Sequence, residues 1–177
     1  MKELNKQNKV FGENYQVKIS YKLFGAPELK VDNKLVKIIL PIKYKNVDKT
    51  KIINFILDKL YSRLAEKEVE KIMEKNRFNL KVAPNDYKFQ KMDGVLARFL
   101  EDQKIIIINP EIVKYNKDIL EYVILHEFCQ LKFKKQGKSF NKMIEKYIPN
   151  YKAVEERVRR VRDVEEICYT YLPLLQS

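Results

Sequence analysis

The sequence predicts an α+β fold in which a small mixed or antiparallel sheet packs against helices. Short alternations of apolar and polar residues, typical of strands, occur in two groups before residue 110. A helical period follows each group. The chain holds only 4 Gly and 6 Pro among its 177 residues, so no segment has the composition of a flexible linker. We therefore expect one domain over residues 15–177.

The N-terminal elements follow from this alternation. Residues 1–14 are rich in Lys, Asn and Gln and offer little apolar surface, which predicts a disordered start. Residues 15–24 alternate as a half-buried strand does. A turn at residues 25–27 then leads to a second strand over residues 34–41, which ends at a proline.

The period changes to that of a helix after this strand. Isoleucine and leucine recur at helical spacing, which predicts an amphipathic helix from Asp48 or Thr50 to about residue 74. Two short strands are then predicted at residues 78–82 and 95–100. A third strand at residues 104–109 contains four consecutive isoleucines.

Three helices are predicted in the C-terminal part of the chain. The first begins at Asn116 or Asp118, covers about residues 118–134 and is the most apolar. The second covers residues 139–147 and stops before a proline. The third covers about residues 151–171, with valines on one side and arginines on the other.

Composition excludes several classes of protein. One His and two Cys are too few for a His-rich metal site, a complete HExxH motif, a zinc finger or a disulfide scaffold. No segment approaches the ~18 apolar residues that a membrane span needs. The polar N-terminus also lacks the apolar centre of a secretory signal. We therefore expect a cytoplasmic protein without membrane association.

The charge is strongly positive, with 36 Lys and Arg against 24 Asp and Glu and a net charge of +12. Most of this charge is scattered lysine, a bias that hyperthermophile proteins also show, so a thermophilic source is one hypothesis. A solvated basic surface is favoured over a nucleic-acid site. Nucleic-acid binding stays open as an alternative, and its candidate residues are Lys132, Lys134, Lys135, Arg157, Arg159 and Arg160.

His126 and Glu127 lie in the middle of the most apolar helix. Burying either side chain without a partner costs several kcal/mol. In zinc hydrolases of the HExxH type, two His one turn apart hold the metal and the Glu acts as general base. Here the residue one turn after His126 is Gln130, so the motif is broken. On these residues alone, a polar pair that is hydrogen-bonded to its neighbours is the favoured interpretation.

The wider pattern resembles the YgjP-like metallopeptidases, relatives of the SprT-like and WLM zincins. The chain keeps that family's residues at Tyr122, Val123, His126, Glu127, Leu131 and Phe140. The resemblance is most specific over residues 121–152 and extends over about 15–162. It implies a zincin-like fold, zinc as the family's cofactor, and Glu127 as a vestigial general base.

This chain departs from the family at the metal. The family's three zinc-ligand positions correspond to His126, Gln130 and Gln136. A carboxamide is a weak, neutral ligand beside an imidazole. We therefore expect a degenerate family member without a cofactor, a pseudoenzyme or binding module for an unidentified protein or nucleic acid. The alternative is a metal-dependent peptidase or hydrolase with an altered ligand set, in which Glu127 is the base and both glutamines are weak ligands. Whether the protein is an enzyme stays open, with the substitutions favouring loss of activity.

Overall fold

The computed structural model describes residues 8–32 and 34–171, and their side chains as far as residue 161. The strands of this part of the chain are β1 Lys9–Val10, β2 Glu13–Asn14, β3 Gln16–Lys22, β4 Glu28–Asp32, β5 Leu35–Pro41, β6 Asp86–Phe89, β7 Ala97–Leu100 and β8 Ile105–Ile108. The helices are α1 Thr50–Leu80, α2 Lys117–Lys132, α3 Lys138–Tyr147 and α4 Tyr151–Tyr171, with short 3-10 helices at Ile42–Tyr44 and Pro110–Lys114. The predicted α+β class is confirmed, and so are the apolar helix α2 and the two helices that follow it.

The first sheet has the strand order β3-β5-β4. Strand β5 runs parallel to β3 and antiparallel to β4, so the sheet is mixed. Val36, Ile38 and Leu40 of β5 are buried in the core, whereas Lys37 on the opposite face is exposed. The sequence does not predict β4, because four of its five residues are exposed and its apolar alternation is weak.

Helix α1 has 31 residues and connects the two sheets in sequence. Its buried side chains recur at helical spacing from Ile53 to Leu80. The prediction of a strand at residues 78–82 is wrong, because the helix continues through Leu80. Lys81 then ends it in the left-handed conformation with φ 56°, and donates its backbone N–H to the carbonyl of Arg77 at 3.1 Å.

The second sheet has the order β6-β8-β7, with β8 parallel to β6 and antiparallel to β7. Ile106 and Ile108 of β8 are fully buried, as an Ile-rich central strand requires. The sequence does not predict β6, because residues 84–86 carry the turn signal Pro-Asn-Asp. Among the described residues, β7 pairs on one side only and is therefore an edge strand.

The N-terminal segment differs from the disordered start that is predicted for residues 1–14. Residues 1–7 lie outside the described residues, but strands β1 and β2 pair with each other. The N–H groups of Phe11 and Gly12 donate to the carbonyls of Val113 and Lys114 at 2.7 and 3.1 Å. Val10 and Phe11 also pack against the core. These contacts order a segment whose composition alone offers little to bury.

The C-terminal helices complete the core around α2. Ile124, Phe128 and Cys129 of α2 are fully buried. Helices α3 and α4 pack against α2, and their Phe140 and Val154 are buried in the core. Within residues 8–32 and 34–171, none of the helices combines the length and the hydropathy that a bilayer-crossing helix requires. Helix α2 is apolar because protein surrounds it.

Candidate functional site

A cleft of about 460 Å³ lies between strand β7, helix α2 and the first turns of α4. The residues that line it are Val95, Leu96, Ala97, Arg98, Phe99, Tyr122, Val123, His126, Glu127, Gln130, Gln136, Glu155, Val158 and Arg159. The residues at all three metal-ligand positions implied by the resemblance, and the neighbouring Glu, are therefore in one cleft. Their roles there are proposals.

Helix α2 places His126 and Glu127 at the floor of this cleft. The His126 ring packs edge-on against Phe140 of α3, with ring centroids 5.0 Å apart, and lies 5.9 Å from the ring of Tyr122. Glu127 is only 7% exposed. An acidic side chain is seldom buried this deeply without partners, so its surroundings decide what it can do.

Gln130 is one turn after His126 on α2, yet its amide turns to the carboxylate of Glu127. Its Nε2 donates to Oε2 of Glu127 at 2.8 Å. Residues three apart on a helix are neighbours on its surface, which permits this contact. The amide of Gln130 therefore caps the carboxylate that a hydrolytic site would use as its base.

Gln136 reaches the site from the turn between α2 and α3. Its amide Nε2 lies 3.1 Å from Nε2 of His126. An amide nitrogen only donates, so Nε2 of His126 is the acceptor in this contact. Ten residues separate the two side chains in sequence, and the chain reversal after α2 brings them together.

The donor chemistry of this cleft does not fit a tightly held zinc ion. The three ligand positions offer one imidazole and two carboxamides, with the carboxylate of Glu127 beside them, whereas the resemblance implies three imidazoles. Both amides direct an N–H group, which cannot bind a cation, at the imidazole and the carboxylate. Within the described residues, no group of three or more His, Cys, Asp or Glu is placed to hold a metal.

Asn109 fixes the edge of the cleft from outside it. This side chain is 2% exposed and follows β8. Its Nδ2 donates to the carbonyls of Met92 and Val95 at 2.6 and 3.1 Å, and its Oδ1 accepts from the N–H of Glu111 at 3.1 Å. The sequence predicts Asn109 only as the last residue of a strand. Its hold on the loop before β7 is a long-range contact that no local pattern reveals.

Three further polar residues of the cleft are absent from the predicted catalytic and metal site. Arg98 comes from β7, and Glu155 and Arg159 come from α4. Arg159 Nη2 lies 3.4 Å from Oε1 of Glu155. Burial and the neighbouring carboxylate of Glu155, to which Tyr122 is hydrogen-bonded, raise the pKa of Tyr122. Tyr122 therefore stays a neutral phenol at ordinary pH.

The residues proposed for nucleic-acid contact differ in the contacts they make within the protein. Ion pairs join Arg157 to Asp118, Arg159 to Glu155 and Arg160 to Glu156. The ammonium of Lys132 donates to the carbonyl of Leu80 at 3.4 Å. Lys134 and Lys135 are exposed. Paired arginines offer less charge to phosphates than free ones, and nucleic-acid binding here stays a prediction.

The chain matches a known protein family, and two solved structures are similar to it. The family model of the YgjP-like metallopeptidase domain matches residues 2–161. The metallopeptidase zymogen jannalysin of Methanocaldococcus jannaschii is 20% identical, with a TM-score of 0.47 over 52% of this chain and 94% of that chain. The zymogen abylysin of Pyrococcus abyssi is 21% identical, with a TM-score of 0.43 over 58% and 93%. No curated protein matches the chain.

The family match corrects one expectation from the sequence. The prediction that the protein uses no cofactor is wrong, because the matched domain is a metallopeptidase domain and the chemistry of its family depends on a metal ion, zinc.

Proposed function

Because this chain belongs to the YgjP-like metallopeptidase family, we propose that it is a degenerate member whose cleft binds an extended protein segment. In this proposal the site holds a divalent metal weakly and hydrolyses peptides poorly. The proposal concerns the cleft between β7 and α2, and it needs no change in the fold.

One observation carries the proposal. The two groups that a metallopeptidase needs most, an imidazole nitrogen for the metal and a carboxylate for the attacking water, each accept a hydrogen bond from a glutamine amide. A metal ion at this position would have to displace the amide of Gln136 from His126. A water held for attack would compete with the amide of Gln130 for Glu127. Both glutamines therefore hinder metal-dependent peptide hydrolysis through direct contacts with His126 and Glu127.

The edge strand supports the binding part of the proposal. Residues 95–99 line the cleft, and β7 pairs only with β8 among the described residues. A free strand edge can add an extended peptide through backbone hydrogen bonds, while neighbouring pockets select its side chains. Arg98 and Glu155 give these pockets charges of both signs, so we expect a polar segment.

Metal affinity tests the first part of the proposal. Zinc binding is measured by competition with a chromophoric chelator, for the natural chain and for a Gln130→His, Gln136→His double variant. The double variant should bind one zinc ion per chain tightly, because imidazoles replace carboxamides at both positions. A matched variant, Gln90→His with Gln103→His, adds two imidazoles at exposed positions outside the cleft and should bind no tighter than the natural chain.

The outcome separates this proposal from the alternative of a working enzyme. Tight zinc in the natural chain that is lost on His126→Ala, together with casein hydrolysis that is lost on Glu127→Gln, would establish a peptidase with an altered ligand set and refute degeneration. If the double variant folds but gains no zinc, the three positions do not share one metal site and the proposed descent of the cleft fails.

A further inference from the structure

The outer face of the first sheet carries a row of three lysines. The strand register places Lys18 of β3 opposite Lys37 of β5, and Lys37 opposite Lys30 of β4. All three are exposed, while the neighbours of Lys18 and Lys37 along their strands point to the core or are partly buried. Adjacent strands are about 5 Å apart, so three positive charges lie in one line across the sheet.

This arrangement costs stability unless something compensates it. Like charges directly opposite each other on a sheet destabilise the pair of strands. None of the three lysines forms an ion pair with a described residue. The same face carries two acidic side chains in β4, Glu28 and Asp32, and Glu28 is paired with Lys22. The lysines of this face outnumber its two acidic residues, so the row is a net positive surface, which we call the basic face (Lys18, Lys30, Lys37).

One end of the same sheet is apolar and exposed. The loop after β3 runs Leu23-Phe24-Gly25-Ala26-Pro27 without a charged or polar side chain. Phe24 is 85% exposed and Leu23 is 68% exposed. A phenylalanine that is so fully exposed to water contributes almost no buried apolar surface to the stability of the fold. A tip of this kind marks a surface that meets an apolar partner.

Strand direction brings a second apolar residue to this end. Because β3 and β5 are parallel, and Lys22 pairs with Pro41, the residues after both strands emerge at the same edge. Ile42 follows β5 and is 49% exposed. Lys43 and Lys45 come next and are exposed. We call Leu23, Phe24 and Ile42 the apolar tip.

We propose that this end of the protein docks on the surface of an anionic lipid bilayer, with the apolar tip inserted among the headgroups and the basic face above the acidic lipids. Shallow insertion of Leu and Phe together with attraction of lysines is how peripheral proteins bind such a surface. No spanning helix is needed, so the proposal replaces the sequence-based expectation of no membrane association.

A lipid surface fits these residues better than a nucleic acid does. Single-stranded nucleic acids are bound by aromatic side chains that stack on the bases within a basic groove. The outer face of this sheet has no aromatic residue in the described strands, since its positions are Gln16, Lys18, Ser20, Lys22, Glu28, Lys30, Asp32, Leu35, Lys37, Ile39 and Pro41. Phosphate contacts alone also leave the aliphatic side chains of the tip unused.

Sedimentation with vesicles tests the proposal. The protein should bind vesicles of mixed phosphatidylcholine and phosphatidylserine at ~0.1 M salt, and should not bind vesicles of phosphatidylcholine alone. Leu23→Ser with Phe24→Ser should weaken binding about tenfold. The basic-face triple variant, Lys18→Gln with Lys30→Gln and Lys37→Gln, should weaken it about fivefold for each lysine removed.

Matched variants test whether vesicle binding depends on where these residues lie or only on the net charge and the exposed apolar surface of the protein. Phe78→Ser removes another exposed phenylalanine, 73% exposed at the far end of α1, and should leave binding unchanged. The triple variant Lys67→Gln, Lys142→Gln, Lys152→Gln lowers the net charge as much as the basic-face triple, through other exposed lysines. Equal losses from both lysine triples, no vesicle binding, or binding to DNA through the basic face in place of vesicles would each overturn the proposal.

Discussion

The contact between Gln130 and Glu127 predicts a measurable share of the stability of the fold. In Gln130→Ala, the buried carboxylate loses an amide donor at 2.8 Å. A hydrogen bond to a charged group contributes about 1.5–3 kcal/mol, and the better helix propensity of Ala offsets only a few tenths of that. For a chain of this size we expect the melting temperature to fall by about 3–12 °C.

A double-variant cycle shows whether this cost comes from the carboxylate. Glu127→Leu replaces a side chain that is 7% exposed with an apolar one of similar length, and should be neutral or stabilising. In that background, Gln130→Ala should cost less than about 0.5 kcal/mol. The free energy of unfolding is measured in urea by circular dichroism.

The glutamine of the neighbouring contact is the control for this cycle. Gln136 is exposed and lies outside the helices, so Gln136→Ala should cost less than about 1 kcal/mol. The reasoning is refuted if Gln130→Ala is neutral, or if it costs as much beside Glu127→Leu as in the natural chain. A stabilising Glu127→Leu would also indicate that function, and not folding, retains the carboxylate.

Two further predictions concern the scaffold. A Cβ at Gly12, where φ is +79°, would lie 1.6 Å from Oδ1 of Asn116, so Gly12→Ala should destabilise the fold by at least about 1 kcal/mol in urea unfolding. Gly137→Ala meets no atom within 4 Å and is its control. Burial raises the pKa of Cys129 from 9.0 to about 12, so in a Cys168→Ser background its thiol should resist iodoacetamide at pH 9 until urea unfolds the chain. Because the unfolded state releases this proton first, the contribution of Cys129 to stability is complete below pH 9 and is lost as pH rises towards about 12, as urea unfolding at several pH values would show.

The helices of the C-terminal half were predictable because each carries its own period. Apolar residues at helical spacing, with Pro or Gly near the ends, place α2, α3 and α4 within a few residues of their bounds. The end of α1 was not predictable in this way. Phe78, Leu80 and Val82 alternate as a strand does, but Leu80 is buried by the helix and only Lys81 ends it. Tertiary burial overrides a short local pattern.

The site shows the same division between local and long-range information. That Gln130 follows His126 by one helical turn is a matter of spacing, and so is predictable. That the amide of Gln130 bonds Glu127, three residues earlier, depends on the conformations of both side chains in the folded protein. The contact of Gln136 with His126 requires the chain to reverse after α2. Without the resemblance to a known family, no spacing in the sequence would have joined these two residues.

Asn109 has a consequence for how this family can change. One side chain joins the loop before the edge strand, the end of the central strand and the start of the next helical turn. The shape of the cleft thus depends on Asn109, which does not line it. The side chains that face into the cleft come from other residues. Residues that line the cleft can therefore be substituted while the contacts of Asn109 keep the shape of its frame. The same independence makes the cleft a ready host for designed metal sites.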